Sequence, residues 1–97
     1  MLRITPTVKN PETVCLKLEG KIFGEWVDLL GQECRSRLPE PGVIYLDFSD
    51  VSYIDSSGVE MVRKLLSDRI EVIECPPLIM DLLRNGDNHG TDGRDDS

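Results

Sequence analysis

Hydrophobic positions change their period several times along this chain, and each change marks a new element. Between Thr13 and Ile22, Val14, Leu16 and Leu18 alternate with Cys15, Lys17 and Glu19. That is the two-residue period of a strand with one buried and one wetter face. A shorter strand, Leu2 to Val8, precedes it; Pro6 suits it to a sheet edge, and Asn10-Pro11-Glu12 is a turn that joins the two as a hairpin. Gly20 marks the exit of the second strand or a bulge. From Glu25 to Leu38 the period lengthens, with Trp26, Val27, Leu30, Cys34 and Leu38 on one side of a helix and Asp28, Gln32, Glu33, Arg35 and Arg37 over the rest. Gly31 inside it costs about 1 kcal/mol against alanine. Pro39-Glu40-Pro41-Gly42 ends that helix.

The run Val43-Ile44-Tyr45-Leu46-Asp47-Phe48 predicts a central strand covered on both faces. Beyond it Val59, Val62, Leu65 and Leu66 recur at helical spacing, so a second helix is expected to begin near Gly58. Ile70 to Cys75 is a further short strand. Pro76-Pro77 opens a last helix, with Ile79, Leu82 and Leu83 facing inward and Gly86 at its C-terminal cap. Strands alternating with helices predict an α/β fold in which a small mixed β-sheet is packed by helices through right-handed crossovers.

The turn between the central strand and the second helix carries the candidate chemistry. Ser57 and Glu60 stand in the spacing of a capping box, in which the Ser57 hydroxyl accepts from the Glu60 amide and the Glu60 carboxylate reaches back to the Ser57 amide. This assigns Ser57 to structure. Ser56 is then left outside the helix, facing solvent before a helix start whose free amides favour negative charge, and is a candidate phosphate acceptor. The plainer reading is that Asp-Ser-Ser-Gly simply begins a helix. At the carboxyl end of a central strand, this turn also lies where open α/β sheets place their recognition surfaces.

The stretch from Ile44 to Glu60, a hydrophobic strand followed by Asp50-Val51-Ser52-Tyr53-Ile54-Asp55-Ser56-Ser57-Gly58-Val59, resembles the signature of the STAS domain family, which includes bacterial anti-sigma factor antagonists. The resemblance extends more loosely from about residue 2 to residue 85 through the order of elements. It implies that Ser56, directly after Asp55, is the phosphorylated serine and that Asp55, Ser56, Ser57 and Gly58 face a partner. That partner would be an anti-sigma factor that is also a serine kinase, with a separate phosphatase resetting the switch; ATP and magnesium belong to the kinase, and the domain itself needs no cofactor. The chain departs from the family pattern in three places. Gly20-Lys21-Ile22-Phe23-Gly24 lacks the acidic residue usual near the phosphorylation site, Glu60 stands where a small residue is common, and the last strand and final helix are expected to be missing.

Composition narrows the function further. A net charge of −7 over 97 residues argues against a nucleic-acid surface, which concentrates lysine and arginine. No segment is apolar enough to span a membrane and no signal-peptide pattern opens the chain, so a cytoplasmic protein without membrane insertion is expected. Cys15, Cys34 and Cys75 have no paired spacing and read as small buried residues. Residues 1–85 are expected to form one domain, and 86–97, with four aspartates against Arg94 and no large apolar residue, a disordered acidic tail.

Enzyme readings lack parts, because the single histidine, His89, lies in that polar tail and no glycine-rich phosphate loop is present. Asp47, Asp50 and Asp55 are a weak magnesium candidate, since aspartates at strand ends more often cap turns. A binding module is the better class. Its leading reading is a phosphorylation-controlled anti-sigma factor antagonist. One rival is a STAS subunit that binds the ATPase of a lipid-transport ABC transporter; another is a scaffold that forms a homodimer through its exposed edge and the Phe23–Trp26 region.

Overall fold

A computed structural model describes residues 1–85. Four strands and three helices follow one another as β1 (Leu2–Asn10), β2 (Thr13–Ile22), α1 (Glu25–Arg37), β3 (Val43–Ile54), α2 (Ser56–Leu65), β4 (Ile70–Ile73) and α3 (Pro77–Asn85). The sheet is mixed and keeps chain order, β1-β2-β3-β4. β1 and β2 form the expected antiparallel hairpin, with the Glu12 amide donating to the Asn10 side chain over 2.9 Å in the turn. β3 runs parallel to β2, and β4 parallel to β3.

One face of the sheet carries the core. Val14 and Leu16 of β2 lie level with Ile44 and Leu46 of β3, and these, with Leu18 and Phe48, meet Val27, Leu30 and Cys34 of α1, Val59, Val62 and Leu65 of α2, and Ile79 and Leu83 of α3. Burial pushes the Cys34 thiol up to about 11, so it behaves as an apolar side chain. The opposite face is half-open: Cys15, Lys17, Glu19, Tyr45 and Asp47 are only partly covered. The expected two-sided cover of β3 is therefore corrected. Its run contains Tyr45 and Asp47 at alternate positions, and the helices pack on the side of Ile44, Leu46 and Phe48.

Three smaller expectations also change. Leu66 and Leu82, read as inward, are 37% and 42% exposed. Leu66 lies past the end of α2, in extended backbone, and Leu82 falls beside the buried line through Ile79 and Leu83. β4 stops at Ile73 because Glu74 adopts a positive φ of 54°. Gly31, treated from sequence as a cost, is buried, and a Cβ there would stand 3.0 Å from the Met61 sulfur of α2; its missing side chain lets α1 and α2 approach. Along the β4 edge an apolar groove of about 330 Å³ is lined by Leu66, Ile70, Val72, Met80 and Leu83. The Gly86 cap, the acidic tail, His89 and the expected loss of a last strand and helix all concern positions outside the described residues.

Candidate functional site

The last residues of β2 and β3, Ile22 and Ile54, are register partners in parallel strands, so the loops that leave them emerge side by side. The Asp55 amide donates to the Ile22 carbonyl over 3.1 Å, tying the second loop to the first strand. α2 then starts at Ser56 with Asp55 as its N-cap: the carboxylate accepts from the Gly58 amide at 2.7 Å and from the Ser57 hydroxyl at 2.9 Å. Gly24, at φ 56°, also turns its amide toward this carboxylate. The Gly58 amide is the strongest of these influences. With the Ser57 hydroxyl and the Gly24 amide it holds Asp55 below the usual carboxylate range, although desolvation acts the other way.

The capping box expected at Ser57 and Glu60 does not form. Asp55 takes the cap because its carboxylate accepts two bonds at once and places negative charge at the helix start. The helix therefore begins two residues earlier than periodicity implied, and Ser57 becomes a donor to the cap. Glu60 is exposed on the next turn. Ser56 is the first residue of α2, exposed, and its hydroxyl makes no hydrogen bond among the described residues. Of the adjacent serines, one is committed and the other is free.

Gly58 is buried under the strand ends. A Cβ there would lie 2.8 Å from Ile54 Cγ1, 3.0 Å from Ile22 Cγ2 and 3.1 Å from the Ile22 carbonyl oxygen. Only a glycine lets the helix close this far onto β2 and β3. Of the four residues expected to face a partner, Ser56 and Ser57 are exposed, Asp55 is half-buried and Gly58 is internal.

The structure gives each of the three aspartates of the magnesium candidate a bonding partner of its own. Asp47 accepts from the Ser49 amide at 2.9 Å, Asp50 pairs with Lys17 at 3.1 Å, and Asp55 caps α2; no cluster of metal-binding side chains occurs among the described residues. The bond to Asp50 raises the Lys17 ammonium above its ordinary value. Sequence reasoning missed an aromatic pair at the same end of the sheet. Phe23, just past Ile22, meets Tyr53, just before Ile54, edge to face with ring centres 6.4 Å apart. The register of β2 against β3 makes the pair, and register is not visible in either segment alone.

A mixed sheet with helices on one face, and a serine displayed at the helix start beside two parallel strand ends, define a small α/β domain. The STAS domain model matches residues 5–72, and the chain belongs to the STAS domain family. By structure it is similar to the unphosphorylated form of the anti-sigma factor antagonist SpoIIAA, with a TM-score of 0.68 and 18% identity over 87% of this chain and 80% of that one. It is also similar to part of Mglu, with a TM-score of 0.62 and 23% identity over 75% of this chain and 19% of that one. Among curated proteins none matches by sequence.

Proposed function

We propose that this domain is an anti-sigma factor antagonist-like binding module whose hold on a protein partner is switched by phosphorylation of Ser56. The observation that carries the reading is the division between the serines: Ser57 donates to Asp55, while Ser56 presents an unbonded hydroxyl to solvent at the start of α2. Family membership and the likeness to SpoIIAA support the same role. In the proposed step Ser56 Oγ attacks the γ-phosphorus of ATP held by a kinase. The bond from that phosphorus to the β,γ-bridging oxygen breaks with ADP as the leaving group, still held by the kinase, and the hydroxyl proton passes to a base on the kinase.

The product then faces the nucleotide that donated its phosphate. Phosphoserine at neutral pH carries close to two negative charges, and opposite ADP, with Asp55 and Glu60 nearby, those charges weaken the complex. A phosphatase returns the hydroxyl by hydrolysis. The domain acts by binding rather than catalysis in this reading, which the use of the Asp55 carboxylate as a helix cap and acceptor for Ser57 supports.

One feature favours a second reading. Glu60 sits one turn beyond Ser56 and opposes a phosphate there, which suits a subunit that binds a transporter ATPase without being modified. Purification of the tagged chain from its own cells, with mass spectrometry of the co-purifying proteins and of the Ser56 peptide, separates the two. A serine kinase together with phosphate on Ser56 is the expected result. An ABC ATPase with unmodified Ser56 overturns the switch.

A further inference from the structure

Two aromatic rings lie open to solvent at the end of the sheet from which α2 starts. Phe23 is 38% and Tyr53 49% exposed, although they pack against each other at 6.4 Å with their planes 69° apart. Tyr53 is held in β3 opposite Lys21, and Phe23 follows directly on Ile22, which pairs with Ile54, so both rings are carried at or just past paired strand ends and have limited freedom to lose on binding. Rigid, exposed aromatics of this kind are the side chains that dominate binding at protein interfaces. Around them the charge is mainly acidic. Glu25 opens α1, Glu60 stands on the first turns of α2 and Asp55 lies between the loops, against Lys21 on β2.

We propose that the Phe23–Tyr53 pair is the anchor that seats the protein partner, and that the partner presents an apolar recess rimmed by lysine or arginine. The proposal rests on the reading of the Ser56 end as the binding surface and adds what holds the complex there. A second copy of this chain fits less well, because it would set Glu25 and Glu60 against the same acids. The anchor sits at the ends of β2 and β3, and the acceptor hydroxyl on the first residue of α2. Phosphorylation therefore leaves the apolar contact in place and acts on the complex through charge.

The test is calorimetric titration of the serine kinase that co-purifies with the wild-type chain, or of the transporter ATPase if that is recovered instead. Phe23→Ala and Tyr53→Ala are each expected to weaken binding at least tenfold, Glu25→Lys and Glu60→Lys to weaken it and flatten its dependence on salt, and Val8→Ala, on the exposed β1 edge, to change nothing. Thermal unfolding within a few degrees of wild type shows that the aromatic variants are folded. Should the ATPase be the partner and lose affinity in both aromatic variants, the anchor stands and the phosphorylation reading falls. Unchanged affinity for the kinase in both aromatic variants overturns the anchor and leaves that reading intact. Two further results overturn the proposal: recovery of neither class of protein, or a wild-type dimer in sedimentation that Phe23→Ala dissolves.

Discussion

Asp55 binds the Gly58 amide and the Ser57 hydroxyl with one carboxylate, so its loss removes a helix cap and strands two donors. Asp55→Ala is expected to cost about 1 kcal/mol in chemical denaturation. Asp55→Asn, which keeps an acceptor in place, costs less. Ser57→Ala loses only an exposed donor and is expected to cost about 0.5 kcal/mol or less, and Ser56→Ala to be neutral; a larger loss at Ser57 than at Asp55 would contradict this assignment of the cap. The pH dependence has a definite sign. Because the folded state holds Asp55 below its unfolded value, the stabilisation is complete above the unfolded pKa, near about 3.9, and fades as pH falls through the lower folded value. Acid titration of stability below about pH 4 is expected to show this component in the wild type and to lack it in Asp55→Asn. Gly58→Ala is the severe substitution. Its Cβ would meet Ile54 and the Ile22 backbone at 2.8 to 3.1 Å, and a loss of about 1–3 kcal/mol is expected from thermal unfolding. The Asp-Ser-Ser-Gly string was legible as a helix start with a free serine, but three of its residues can cap a helix. Which one does was settled by the approach of β2 and the loop after it, whose Ile22 carbonyl and Gly24 amide hold Asp55 in position.

At the scale of elements, the α1–β3 connection is clamped by a residue far from it in sequence. Arg69, just before β4, donates Nε to the Gly42 carbonyl at 3.0 Å and its Nη2 group to the Pro39 carbonyl and to Glu40. Its exposed pairing with Glu40 adds little. The two carbonyl bonds are partly buried, and Arg69→Ala is expected to cost about 1–3 kcal/mol. Lysine cannot restore the fork, so Arg69→Lys is expected to remain closer to alanine than to wild type; full recovery would assign the effect to charge alone. Element positions were largely readable because each has its own period: β2 and α1 fall where alternation and the longer repeat place them. The misreadings arose where a segment's neighbour sets its exposure. Leu82 satisfies the helical pattern as well as Leu83 does, and only the angle at which α3 meets the core exposes one and buries the other.

For the whole molecule, the switch reading requires a surface that changes charge without a change of fold. Ser56 is exposed at a helix start, where added negative charge meets favourable amides but also Asp55 and Glu60. Ser56→Asp is therefore expected to leave the melting temperature within a few degrees of wild type while weakening the proposed kinase complex, as measured by calorimetry. Equal affinity for the two forms would remove Ser56 from the contact. Sequence by itself determined the α/β class, the hairpin, the order of elements and which of the two adjacent serines keeps an unbonded hydroxyl, because these depend on local period, turn chemistry and helix-terminal amides. Tertiary structure decided which sheet face the helices cover, which acid caps α2, why Gly31 and Gly58 carry no side chain, and that Phe23 and Tyr53 stand together at the ends of β2 and β3. Those outcomes depend on strand register and on the distance between packed elements, and neither is a property of any one segment.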